Sequence, residues 1–336
     1  MAFTTINDPS AQFQTVLWTG DSADDRSITN TGNANLQPDV VWIKNRNSTQ
    51  NHYLYDSTRG ANVQLLPADT AGETTVADRM QAFQTDGFQV GSSSEVNYNS
   101  YTYVGWQWKA TAGTTASNGN GSITSTVQAN TTAGFSIVKW TGTGSAATIG
   151  HGLGVAPQMI IVKNLDKSAQ WGVYHYKVGN TKYLALNDAD AAATYSGYWN
   201  DTSPTTTVFS VGSDGDISGG NGEEVISYCF APIKDGTFVY TGFKPAFILI
   251  KRTDSSGSWV LNDSTRNPTN QANNTLVPNE TWAESTNTYY GLDILSNGFK
   301  IRNANPEIGG SGTTNVYAAF AQNPFVATNN VAATAR

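Results

Sequence analysis

Pro38-Asp39-Val40-Val41-Trp42-Ile43-Lys44 is a short apolar strand set between a turn residue and a charge, and the chain repeats this pattern twice more. Pro157-Gln158-Met159-Ile160-Ile161-Val162-Lys163 and Pro245-Ala246-Phe247-Ile248-Leu249-Ile250-Lys251 have the same form, each lysine six positions after its proline (44 − 38, 163 − 157, 251 − 245). An unbroken apolar run with β-branched residues reads as a central strand buried on both faces. An aromatic ring follows eight residues past each lysine, at His52, Trp171 and Trp259. Asp56-Ser57-Thr58-Arg59 and Asp263-Ser264-Thr265-Arg266 then agree letter for letter, while the middle copy has His175 in place of the aspartate. A Gly-Phe element comes next (Gly87-Phe88, Val208-Phe209, Gly298-Phe299), and an alternating strand closes each copy at Trp108, Phe230 or Phe320. Five features kept in order three times define an internal repeat.

Each copy is long enough for a β-sandwich and too long for a propeller blade. The fold expected is all-β, with three tandem antiparallel sandwiches at 1–110, 134–233 and 234–325. Residues 111–133, rich in Ser, Thr, Gly and Asn, read as a linker, and 326–336 as a C-terminal tail. Trp18-Thr19-Gly20 and Trp140-Thr141-Gly142 mark opening strands, and in the third copy Tyr240-Thr241-Gly242 leaves this strand shortened or missing. Composition agrees with a strand-rich fold. Only 13% of the 336 residues are charged, about half the usual share, while 9 Trp, 15 Tyr and 13 Phe supply core area.

Net charge is 19 − 26 = −7 and no basic cluster occurs, which argues against nucleic acid and anionic lipid as partners. A single cysteine, Cys229, forms no intrachain disulfide. Neither a signal peptide nor an 18-residue apolar run is readable, so neither secretion nor membrane insertion is expected.

The residues that carry chemistry elsewhere fall mostly in repeated positions here. His52 and His175 read as strand filler, His151 as part of a glycine turn and Cys229 as a small core residue. Lys44, Lys163, Lys251, Asp56, Arg59, Asp263 and Arg266 define the repeat, so they read as structural. No catalytic residue is assigned, and a polysaccharide depolymerase would need a carboxylate cleft that the sequence does not show. Asp214-Gly215-Asp216 opens like a calcium loop, but Val225 stands where the bidentate glutamate belongs. Asp214 and Asp216 are therefore only weak candidates for a structural calcium, and no other cofactor is expected. Trp199, with Asn200 and Asp201, and Trp282 lie in loops outside the core pattern. They are the candidates for ligand or partner contact.

Several stretches carry a resemblance. Phe3-Thr4-Thr5-Ile6-Asn7-Asp8-Pro9-Ser10-Ala11-Gln12-Phe13, Val41-Trp42-Ile43-Lys44-Asn45-Arg46, Asp56-Ser57-Thr58-Arg59-Gly60 and Tyr228-Cys229-Phe230-Ala231-Pro232 resemble a family of repeated β-sandwich proteins of tailed bacteriophages. The family is common in marine and cyanobacterial phages, where its members are described as tail-fibre-like or virion structural proteins. The resemblance covers residues 1–325 and brings domains like the concanavalin/laminin-G jelly rolls. It implies a non-enzymatic protein of the virion surface, assembled in the host cytoplasm and contributing to host-surface (glycan) attachment. The alternative is a decoration protein of the capsid or tail. Partners expected are other virion proteins, a host cell-surface glycan or protein, and further copies of the chain, a trimer being favoured. No heptads or shaft-like repeats accompany the sandwiches, so virion membership is expected ahead of a place at a fibre tip.

Overall fold

In the computed structural model, which describes residues 8–231, 239–241, 243–302, 305–310 and 312–321, the proline-to-lysine runs form inner strands of three separate sheets. The first repeat contains β1 (Phe13–Thr19), β2 (Arg26–Thr29), β3 (Val40–Asn45), β4 (His52–Asp56), β5 (Gly60–Leu65), β6 (Thr74–Thr75), β7 (Met80–Gln84), β8 (Gly87–Val90) and β9 (Thr102–Trp108). These strands build a six-stranded sheet ordered β1-β9-β3-β4-β5-β6 and a three-stranded sheet ordered β2-β8-β7. Side chains alternate across β3: Val41 and Ile43 enter a core with Ile28, Phe88 and Val90 of the smaller sheet, while Val40 and Trp42 face the opposite way. Gly87 is required by its backbone, with φ at +108° and the Ile28 carbonyl oxygen where a Cβ would stand.

The second repeat contains β10 (Ala116–Asn118), β11 (Ser125–Asn130), β12 (Phe135–Thr141), β13 (Ala147–Gly150), β14 (Met159–Asn164), β15 (Gly172–His175), β16 (Lys182–Ala185), β17 (Ala193–Thr194), β18 (Val208–Val211) and β19 (Glu224–Phe230). Its large sheet runs β10-β11-β12-β19-β14-β15-β16-β17, which is the order of the first repeat with β10 and β11 added at one edge. A pair, β13 and β18, covers the other face, together with short helices α1 (Ser196–Trp199) and α2 (Gly215–Ser218).

The expected linker therefore needs correction, because 111–133 carries β10 and β11. Val127 is the one apolar residue these strands place in the core. Polar neighbours are buried by pairing instead: Ser125 Oγ donates to the Gly150 carbonyl at 2.7 Å, and Gln128 Nε2 donates to Ser57 and Thr58 hydroxyls at 2.9 Å. Satisfied polar side chains let a strand form without an apolar signature.

The third repeat contains β20 (Val239–Tyr240), β21 (Pro245–Arg252), β22 (Val260–Asp263), β23 (Leu292–Leu295), β24 (Gly298–Ile301) and β25 (Asn315–Ala321), in sheets β22-β21-β25 and β20-β24-β23. Val239 pairs with Phe299 just as Ile28 pairs with Phe88, so β20 takes the place of β2 and not of an opening strand. The tail 326–336 lies outside the described residues.

Each repeat has its own core, and a fourth core joins all three. Trp42, Trp106 and Trp108 meet Phe135, Met159 and Ile161 of the second repeat and Phe247, Leu249 and Ala318 of the third. Closing-strand rings converge there, with Phe320 lying 5.6 Å from Trp108 and 5.3 Å from Phe230. A void of about 30 Å³ remains between them. Burial at this density stabilises by roughly 1.5–3 kcal/mol per large side chain.

The repeated lysines clamp the seams between repeats in a cycle. Lys44 Nζ donates to the Thr281 carbonyl (3.4 Å), Lys163 Nζ to Thr70 (3.0 Å) and Lys251 Nζ to Ala189 (3.2 Å). Three residues further on, each of these straps is pinned by a backbone bond: Glu284 N to Arg46 O, Glu73 N to Leu165 O and Ala192 N to Thr253 O. Four residues before the same acceptors, Trp171 Nε1 donates to the Leu66 carbonyl and Trp259 Nε1 to Ala185, while the His52 ring lies against the Val277 backbone. First rests on third, second on first, third on second. The chain is a pseudo-trimer of its own repeats.

Candidate functional site

The repeated acidic turns complete the seams from the other side. Asp56 accepts the Arg59 Nε at 2.5 Å and the Tyr228 hydroxyl of the second repeat at 2.8 Å. Asp263 accepts Arg266 Nε at 2.5 Å and Trp106 Nε1 of the first repeat at 3.1 Å. The third closing strand has Ala318 at the matching place, two residues before its ring, and alanine offers no proton. An aspartate facing it would lack its cross-seam donor. The second repeat instead has His175, whose Nε2 lies 3.3 Å from the Tyr317 carbonyl. The departure seen in the sequence is thus explained by the neighbour across the seam.

Cys229, His52 and His151 are all buried. The Cys229 thiol is fully buried and pushed up to about 12 by desolvation. His52 is buried too, and desolvation, reinforced by the charge of Lys44, drives its pKa well down. His151 is likewise lowered by burial, against the Thr205 carbonyl that opposes the shift.

Of the loop candidates, the structure separates Trp199 from Trp282. Trp199 is only 1% exposed and packs edge-on against Tyr174 at 5.7 Å, so its expected role in ligand or partner contact is corrected to a core role. The reason is local: α1 precedes β18 where the other repeats have the first strand of a hairpin, and the indole fills the core there. Asn200 and Asp201 are exposed but hold left-handed backbone angles (φ 51° and 48°) that end α1. Asp214 caps α2 by accepting the Asp216 amide at 2.8 Å, and Asp216 accepts the Gln170 amide at 3.1 Å. Among the described residues, no group of three His, Cys, Asp or Glu side chains is placed to hold a metal.

Trp282 is 53% exposed and sits on the strap that crosses from the third repeat to the first. Beside it, Arg46 forks onto Glu284 (Nε to Oε2 3.1 Å, NH2 to Oε1 2.8 Å), and Arg266 NH1 reaches the same carboxylate at 2.8 Å. Burial alone would raise the Glu284 carboxyl, but the two guanidiniums hold it below its ordinary value. The Arg46 amide donates to the Thr102 carbonyl, and Asn47 Oδ1 accepts from the Thr102 amide, which ties this strap to the loop holding Tyr98 and Tyr101. Those two rings lie 5.0 Å apart, and Tyr98 is 49% exposed. Trp282, two residues from Glu284, and the tyrosine pair, next to Thr102, are thereby linked through Arg46, and together they are termed the ridge.

The ridge breaks the threefold pattern. Counted from the strap amides, Trp282 corresponds to Ala71 and Asp190; counted from the closing rings, Tyr98 corresponds to Gly220 and Gly310. The seam needs none of these rings, because the other two seams close without them. Trp282 was readable as a loop tryptophan. Tyr98, Tyr101, Arg46 and Glu284 were missed, although a repeat-by-repeat comparison of the closing strands would have found both tyrosines. Chemically the ridge offers aromatic faces, amides and a paired guanidinium–carboxylate, and no nucleophile.

Residues 8–324 match the family described as Domain of unknown function (DUF7483), and the chain belongs to it. No curated protein and no solved structure matches the chain.

Proposed function

We propose that this chain is a non-enzymatic protein of the bacteriophage particle surface that contributes to host attachment, with the Trp282–Tyr98 ridge as its contact. The observation that carries the reading is the exposed Trp282 at one seam, where the other two have alanine or aspartate, with the exposed Tyr98 on a loop bonded beside it, where the other repeats have glycine. Exposed aromatic faces beside amides suit the CH faces and hydroxyls of a glycan. The sequence resemblance supplies the virion setting, with other virion proteins as further partners and assembly in the host cytoplasm. On this reading the three repeats are jelly-roll sandwiches of the concanavalin/laminin-G class at 1–110, 134–233 and 234–325. Binding of purified protein to host cells or a glycan array tests it. Trp282→Ala and Tyr98→Ala should each weaken binding at least tenfold, and undiminished binding of the double variant would refute it.

A second reading, decoration of the capsid or tail, is favoured by the pseudo-threefold seams. One chain presents three related faces, as a trimeric decoration protein would, and suits a threefold position on a particle. Copy number per virion by mass spectrometry separates the two: hundreds of copies support decoration, and a small multiple supports attachment.

A further inference from the structure

The edge strands β10 and β11 occur in the second repeat only, among the described residues, and they border a recess. Thr115, Thr124 and Thr126 come from this added edge. Lys139, Thr141 and the buried Trp140 of β12, Glu224 of β19 and Thr58 of the first repeat complete the lining. The recess has a volume of about 260 Å³. It departs from the repeat in its chemistry as well, because the first repeat has Leu17 and Thr102 where the second has Lys139 and Glu224.

We propose that this recess is a binding site for a single pyranose sugar, separate from the Trp282 ridge. Five threonines line it, and the hydroxyls of the exposed Thr115, Thr124 and Thr126 can both donate and accept, while Thr141 keeps its acceptor capacity and Thr58 already accepts from Gln128. Neighbouring hydroxyls on a sugar ring need that same pairing. Lys139 Nζ and Glu224 Oε2 stand 2.7 Å apart, and Thr141 Oγ1 donates to Glu224 Oε1 at 2.5 Å. Their charges cancel, so neither an anion nor a cation is selected over a neutral polyol. The lining is dominated by polar surface, which disfavours an apolar ligand. The volume lies just below the roughly 300–1,000 Å³ of drug-sized sites and suits one ring. With no exposed aromatic platform, the affinity expected is in the millimolar range, about 1–10 mM.

The test is an amide NMR titration of the full chain with D-glucose, D-galactose and N-acetyl-D-glucosamine, each to about 100 mM, some tenfold above the expected dissociation constant. Saturable shifts at Thr126, Thr141 and Glu224 with at least one sugar are expected. Thr126→Val with Thr141→Val keeps the β-branched shape while removing two hydroxyls, and should weaken binding at least tenfold. Trp282→Ala should leave the same shifts unchanged, which keeps this site's outcome distinct from that of the ridge. No saturable shift at these amides with any of the three sugars overturns the proposal. So does equal binding by the double valine variant, provided its remaining amide spectrum matches that of the parent.

Discussion

Replacing Lys44 by methionine separates what the ammonium contributes from what the side chain packs. Its Nζ has three carbonyl acceptors (Asn45 at 2.8 Å, Ser48 at 3.3 Å and Thr281 at 3.4 Å), and the residue is fully buried. Desolvation lowers its pKa from 10.5 to about 7. In the unfolded chain the amine keeps its ordinary value, so between those two values the unfolded state holds more protons than the folded one. Stability from this group is therefore full above about pH 10.5 and is lost as pH falls through about 7. A full one-proton slope is about 1.4 kcal/mol per pH unit. Because Lys44 is still half protonated near pH 7, the gain from about pH 7 to about pH 9 is about 2 kcal/mol. Urea unfolding across that range, for the parent and Lys44→Met, should give a stability difference that moves by this amount in the parent's favour. A difference that stays flat, or moves the other way, would show that the three carbonyls hold the amine charged against its desolvation. The reasoning would then fail.

Three further outcomes follow from the seams and the core. Asp56→Asn leaves the Arg59 guanidinium buried without its carboxylate and should destabilise by about 3–5 kcal/mol in a denaturant titration. His175→Asp restores the repeat letter but faces Ala318, which has no donor; it should lower stability by about 1–3 kcal/mol, measured by calorimetry. Trp199→Ala opens a cavity in the second core and should remove about 3–5 kcal/mol, while host-cell binding per folded molecule stays at the parent level.

Much of the fold was legible because its strands obey simple alternation. The Val40-to-Lys44 run and its two counterparts are apolar on both faces because each lies between its own core and the common one. What the composition concealed was polar but satisfied. Ser125 and Gln128 bury themselves through partners up to 71 residues away, so 111–133 looked like a linker. The lysines were visible as a repeat, yet their cross-seam acceptors are carbonyls about 60 to 240 positions distant, and carbonyls carry no residue identity. Trp199 and Trp282 looked alike in sequence, and only the position of α1 sends one inward. His175 shows the same limit: its identity answers Ala318, a residue in a different repeat.

The lysine cycle has a consequence for how such a molecule can change. In a trimer of identical chains every substitution appears three times, so a tryptophan added to one boundary is added to all of them. Here the three boundaries are encoded separately, and Ala71, Asp190 and Trp282 occupy the same station with different chemistry. Two boundaries can remain purely architectural while the third acquires rings, and the second repeat can extend its edge without altering its siblings. Covalent linkage lets the molecule keep threefold closure while each boundary evolves independently.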